Sequence, residues 1–164
     1  WRYTRRLMLS SCLLTNIHSA TVEILHPDAD FMERHASSSA KDINNNSIVI
    51  KAVFNGFSIL FPGDVMEAAE KNMILKAPRD LTADILVVPH HGSKTSSTPA
   101  FLNRVRPDVA VVSAGAGNRY GYPHPEVVLR YQAAGARVLR TDRDGAVVLK
   151  TRGHGLTVET PCGP

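Results

Sequence analysis

The stretch VVPHHGSKTSS, Val87 to Ser97, sets two adjacent imidazoles, His90 and His91, where an apolar run gives way to a small polar loop. A buried strand gains nothing in packing by ending on two histidines. Neutral imidazole nitrogens, by contrast, are good metal ligands and proton carriers. Two further positions share this placement: Asp64 follows the apolar run FSILF, and His124 lies in the loop after VAVVS. In an open α/β sheet, the loops beyond the carboxyl ends of parallel strands converge on one crevice. A carboxylate and imidazoles meeting there are the oxygen and nitrogen donors that zinc takes at roughly 2.0–2.2 Å, and manganese accepts the same mix. Asp64, His90, His91 and His124 are therefore the candidate metal ligands.

Each has a plainer reading. Asp64 can cap the helix expected after it, with Glu67 completing a capping box. His124 precedes Pro125 and can simply stand at a helix start. The histidine pair can be a polar loop of chance composition. Around it, Gly92 lets backbone N–H groups approach an anion, and Ser93 and Lys94 can hold phosphate oxygens. Asn118, Arg119 and Tyr120 form a similar polar cluster on a neighbouring loop, or are solvated loop residues.

The elements that must position these side chains follow from pattern. TVEIL, Thr21 to Leu25, reads as a strand stopped at His26-Pro27, and Asp28 to Asn46 reads as a polar loop. SIVIKAVF and FSILF flank Asn55-Gly56, a pair suited to positive φ at both centres of a type I′ hairpin. A helix is expected over about Val65 to Lys76, with Met66, Ala69 and Met73 as its apolar stripe and Glu67 facing Lys71. ADILVVP and PDVAVVSAG are continuous apolar runs, the mark of strands covered on both faces. Thr98-Pro99 opens a helix to about Val105, and Pro125 to Ala134 forms another, stopped by Gly135. ARVLR, GAVVLK and LTVET complete the chain as strands, and residues 2–12 read as a short helix. This alternation predicts an α/β fold, a mixed sheet with helices packed on it, in one domain over residues 1–164.

Composition agrees. The 164 residues are 43% hydrophobic and 21% charged, with a net charge of +4 and a pI near 9.3. A mild basic excess suits a polyanion such as nucleic acid, or only confers solubility, since no dense Lys/Arg run occurs. No apolar run approaches the roughly 20 residues of a membrane-crossing helix, and WRYTRRLMLSSCLL is not read as a signal peptide. Cys12 and Cys162 fit no zinc-finger or redox spacing; two plain thiols are expected, a bridge joining the termini being the alternative. A chain opening at Trp1 is expected to be a piece of something longer.

Several spaced motifs occur in one order: N-N-x-S and a hairpin; G-D-x-x-x-x-x-E at Gly63, Asp64 and Glu70; A-D-I-L-V-V-P-H-H-G-S-K; R-P-D-V-A-V-V-S-x-G-x-x-N-R-Y-G-x-P-H-P-E-V; and R-T-D-x-x-G. From about residue 22 to residue 149 the chain resembles the carboxy-terminal metallo-β-lactamase-fold domain of ComEC-type DNA-internalisation (competence) proteins, a pattern shared with stand-alone hydrolases of that fold. The resemblance implies an αββα sandwich, one or two divalent metals (zinc or manganese), and phosphodiester hydrolysis. It implies Asp64 as the metal-bridging carboxylate, one of His90 and His91 as ligand or proton shuttle, and His124 as the late histidine ligand. Ser93, Lys94, Asn118 and Arg119 would grip backbone phosphates of DNA. It also implies a bacterial membrane parent carrying this part outside the cytoplasm, the fragment itself being soluble.

The chain departs from the pattern twice. Tyr122 stands where the family often has a histidine two residues before His124. The signature H-x-H-x-D-H, which supplies most ligands to both metals, is missing; His18, His26 and His35 lack its spacing. The expectation is therefore the second half of a metallo-β-lactamase sandwich, holding one metal or none and inactive alone, against two metals in the complete domain. The competing expectations are a non-catalytic module that binds DNA or a partner, and a hydrolase of small phosphoesters.

Overall fold

The computed structural model describes residues 14–17, 20–35, 43–76, 80–152 and 155–161. The expected helix over residues 2–12 and both cysteines lie outside them. Seven strands form one sheet in chain order: β1 Leu14–Ile17, β2 Ala20–His26, β3 Val49–Phe54, β4 Phe57–Phe61, β5 Ile85–Val87, β6 Val109–Val112 and β7 Arg137–Arg140. The first four pair antiparallel. From β4 to β7 the pairing is parallel, because each connection there carries a helix or long loop back across the sheet. The mixed α/β sheet expected from the alternation is what forms, and its layers are compatible with an α/β sandwich.

Strand alternation divides the core in two. Leu86, Ala110 and Val112 point into one cluster with Leu25, Phe31, Leu60, Met73, Phe101 and Tyr131. Four helices, α1 Ala29–Arg34, α2 Glu67–Leu75, α3 Pro99–Val105 and α4 Pro125–Ala133, contribute to that side. Ile85, Val109, Val111 and Leu139 point the other way, against Leu149, Leu156 and Val158. Those last residues belong to a separate two-stranded sheet, β8 Val148–Arg152 with β9 Gly155–Glu159. A four-residue helical turn, α5 Thr141–Asp144, links β7 to it.

Local chemistry explains most boundaries. Asn55 and Gly56 both take positive φ, 50° and 81°, as a type I′ hairpin requires. Thr98 caps α3, its hydroxyl accepting from Phe101 N at 3.3 Å. Two expectations need correction. The polar stretch after Pro27 is not all loop: Asp28 caps α1 through Phe31 N at 2.9 Å, and a 3₁₀ turn forms at Asn44–Asn46. α2 begins at Glu67, not Val65, and Asp64 does not cap it. Glu67 N instead donates to Thr95 O at 2.9 Å, and Asn45 Oδ1 accepts from Met66 N at 2.9 Å and Ala69 N at 3.3 Å.

Asp28 also joins α1 to α2. Its buried carboxylate accepts from Asn72 Nδ2 at 2.9 Å and Lys76 Nζ at 2.8 Å. Burial alone would push the carboxyl up; the bonds from Lys76, Asn72 and Phe31 outweigh it and hold the pKa at about 2. A carboxylate depressed in the folded state adds stability above its unfolded value of about 3.9. That stability drains as pH falls from there through about 2. Asp28→Asn keeps a cap and loses the ion pair. We expect it to lower unfolding free energy by about 2 kcal/mol at pH 7 and to make the acid limb between pH 4 and 2 shallower in chemical-denaturation curves; an unchanged limb would contradict this role.

Candidate functional site

The loops that follow β4, β5 and β6 lie along the carboxyl edge of the parallel strands, as expected for the crevice. The segment after β5 has an unusual backbone. His90 and His91 are left-handed, at φ 49° and 55°, and Gly92 follows at 86°. Left-handed backbone in a residue with a Cβ costs on the order of 1–3 kcal/mol and persists only where surroundings enforce it. Here His90 N donates to Gly63 O at 3.1 Å, and Gly92 O accepts from His124 N at 2.9 Å. The three loops are thus bonded to one another through main chain.

The two imidazoles part company. His90 is half-buried, with Nε2 3.4 Å from Asn44 Nδ2 and Nδ1 3.3 Å from Thr95 Oγ1. Both its nitrogens are engaged by protein, and its ring meets the Tyr122 ring edge-on at 5.9 Å. His91 is half exposed. Its Nδ1 lies 2.8 Å from Ser113 O. A carbonyl can only accept, so Nδ1 carries the hydrogen and Nε2 is left with a free lone pair in the neutral ring. That Nε2 faces Asp64 Oδ1 at 3.6 Å, beyond hydrogen-bond reach. A histidine whose far nitrogen donates to a backbone carbonyl has the arrangement of a metal ligand or a proton carrier.

Asp64, 43% exposed at its side chain, is steered by its own N–H, which donates to Ser47 Oγ at 3.1 Å. His124 is the residue before α4; its carbonyl accepts from Val127 N at 2.9 Å and Val128 N at 3.2 Å, while its Nδ1 is buried without a hydrogen-bond partner. Among the described residues, no three His, Cys, Asp or Glu side chains gather closely enough to hold an ion. The His91–Asp64 pair has donors of the right chemistry but fewer than the three or four protein ligands of a zinc site. The described residues alone do not fit a complete metal centre.

Of the expected phosphate grips, Ser93 is buried and its hydroxyl meets Thr95 Oγ1 at 3.0 Å. Lys94 is exposed, 4.0 Å from Glu126. Asn118 closes its own loop: Oδ1 accepts from Tyr122 N at 3.0 Å, and Nδ2 donates to Tyr122 O at 2.6 Å and Gly115 O at 3.0 Å. Arg119 lies over the Tyr120 ring. Ser93 and Asn118 therefore build loops, while Lys94 and Arg119 stand outward.

The residues that pattern did not single out as site-builders are Asn44, Asn45, Ser47 and Glu70. Glu70 is fully buried and accepts from Ser97 N at 2.6 Å and Thr98 N at 2.9 Å, fixing the far end of the histidine loop to α2. Burial pushes its pKa up, and these two bonds oppose it. The signal was present in N-N-x-S and in the Glu closing G-D-x-x-x-x-x-E, but their partners are distant in sequence.

With this geometry in view, similar proteins are informative. The chain is 41% identical over 106 residues to Competence protein ComA of Neisseria gonorrhoeae, covering 65% of this chain and 15% of that protein. It is 38% identical over 104 residues to ComE operon protein 3 of Bacillus subtilis, 63% of this chain and 13% of that protein. Recombination protein 2 of Haemophilus influenzae matches at 38% over 104 residues, again 63% and 13%. These similarities support a ComEC-type competence protein. The chain spans about one seventh of the length of these relatives. No protein-family model matches it, and no described helix is long and apolar enough to cross a membrane.

Gly92 is where the loops press closest: a Cβ there would lie 2.5 Å from Pro123 Cβ and 3.0 Å from Pro123 Cα. Gly92→Ala should cost about 2–4 kcal/mol through the clash and the positive φ, read as a lowered urea midpoint; wild-type stability would refute the packing. Asn45→Ala should cost about 1–2 kcal/mol by uncapping α2, checked in the same melts.

Proposed function

We propose that this chain is the second half of a metallo-β-lactamase-like domain in a DNA-uptake protein of bacterial competence, and that it takes part in hydrolysis of DNA phosphodiesters. The observation that carries the reading is the His91–Asp64 pair at 3.6 Å, with Nδ1 of His91 committed to Ser113 O and Nε2 bare. The names of the similar proteins support the DNA-uptake setting. On this reading the bare Nε2 of His91, beside the Asp64 carboxylate, takes up a proton from the attacking water at the reacting phosphate and later returns it to the leaving oxygen. His90 holds the loop instead of meeting substrate. Lys94 and Arg119 supply outward positive charge for the DNA backbone, which fixes position without reading sequence.

A divalent metal, zinc or manganese, is the cofactor of this proposal, and it would supply Lewis-acid stabilisation of phosphate charge. Its remaining donors would come from outside the described residues. In the parent protein the segment would lie at the bacterial membrane, outside the cytoplasm. The shortage of donors among the described residues favours one alternative, a module that holds DNA without cutting it.

In the parent protein, Asp64→Ala should lower metal-dependent DNA cleavage by at least about 100-fold with unchanged thermal stability, since Asp64 caps no helix. Cleavage surviving in the variant would sink the assignment. DNA binding that weakens with salt without cleavage in the wild type would select the binding module.

A further inference from the structure

Beside His91 the loop after β6 borders an open cavity of about 310 Å³, walled by the rings of Tyr120 and Tyr122 and by Ser113, Ala114 and Gly115. That size is at the low end of ligand pockets, roughly 300–1,000 Å³, and suits one ring system. The two tyrosine rings stack, with centroids 5.6 Å apart and planes 20° from parallel. Tyr120 is 62% exposed, an aromatic ring that no core requires. The Arg119 guanidinium lies 4.8 Å above its centroid and donates to its hydroxyl at 2.6 Å. Asn118 closes the loop from within, as described above, so the rings are held in place ahead of any ligand.

Nucleobases stack on aromatic faces whatever their identity, and arginine adds a cation–π contribution. A duplex hides its base faces; an unpaired base presents them. His91 lines this cavity and also faces Asp64, so a nucleotide whose base enters carries its phosphate beside the same imidazole. We propose that the Tyr120–Tyr122 cavity is a subsite for the unpaired base of a nucleotide, making the chain a reader of single-stranded rather than duplex DNA. This rests on the reading that the chain meets DNA, but not on its cutting it.

The test is anisotropy of a labelled oligothymidylate and of a duplex of equal length on the intact chain, without divalent ions, with thymidine monophosphate as competitor. The single strand should bind more tightly than the duplex. Tyr120→Ala should weaken the single strand about tenfold while leaving duplex affinity and the salt slope unchanged. Tyr120→Phe, which keeps the ring and loses the Arg119 bond, should stay within about twofold of wild type. Displacement by the monophosphate would identify a free nucleotide as sufficient occupant; its failure would assign the site to the strand. Equal binding of strand and duplex, an unaffected Tyr120→Ala, a Tyr120→Phe as weak as Tyr120→Ala, or no single-strand binding would each overturn the proposal. Because no cleavage is read, loss of the hydrolase reading leaves this result standing, and cleavage without Tyr120-dependent binding sinks only the subsite.

Discussion

The site depends on one hydrogen bond, from Nδ1–H of His91 to the carbonyl of Ser113. It spans two parallel strands' loops, fixes which nitrogen of the ring is bare, and turns that nitrogen toward Asp64. The bond can form only because the chain reverses at three consecutive left-handed residues, His90, His91 and Gly92. Extended backbone would have carried the rings away along the strand direction. Gly92 is the member of the trio that admits Pro123 alongside it, and so brings the loop after β6 against the loop after β5.

The surrounding fold reads as the means of keeping that strained turn in place. Glu70 grips its far end through two backbone N–H groups, and Ser96 Oγ donates to Val65 O at 2.7 Å. The 3₁₀ turn at Asn44–Asn46 acts from the other side: Asn44 reaches His90, Asn45 caps α2, and Ser47 orients Asp64. His26, buried beneath, donates through Nε2 to Asn45 O at 2.6 Å and packs edge-on against Phe31. Buried polar groups that are mutually satisfied stiffen a region more than their separate energies suggest. Two adjacent histidines thereby acquire different surroundings, His90 bonded at both nitrogens to Asn44 and Thr95 and His91 bonded at Nδ1 to Ser113 O with Nε2 toward Asp64.

How much of this was legible in the sequence follows from the distance between partners. The β3–β4 hairpin and the start of α3 were legible because Asn55-Gly56 and Thr98-Pro99 act on their immediate neighbours. The order of strands and the edge on which Asp64, His90, His91 and His124 would fall were legible from alternation alone. α1 was missed although its cap, Asp28 accepting from Phe31 N, is local; what distance hid is its tie to α2 through Asn72 and Lys76, more than 40 residues away. The different settings of His90 and His91 were not legible either, since they come from Asn44 and Ser113, which no spacing rule connects to the pair. Asp64 looked like a helix cap because its local pattern fits one; Asn45, distant in sequence, took that place.

The central claim is therefore about a proton: His91 holds it on Nδ1 and presents a bare Nε2 toward Asp64. Two-bond ¹H–¹⁵N correlation of the histidine rings at a pH where they are neutral reports this directly. The account predicts the Nδ1–H tautomer for His91, assigned by its loss in His91→Gln. An Nε2–H tautomer at His91 would contradict it, because the ring would then have to be turned away from the Ser113 carbonyl.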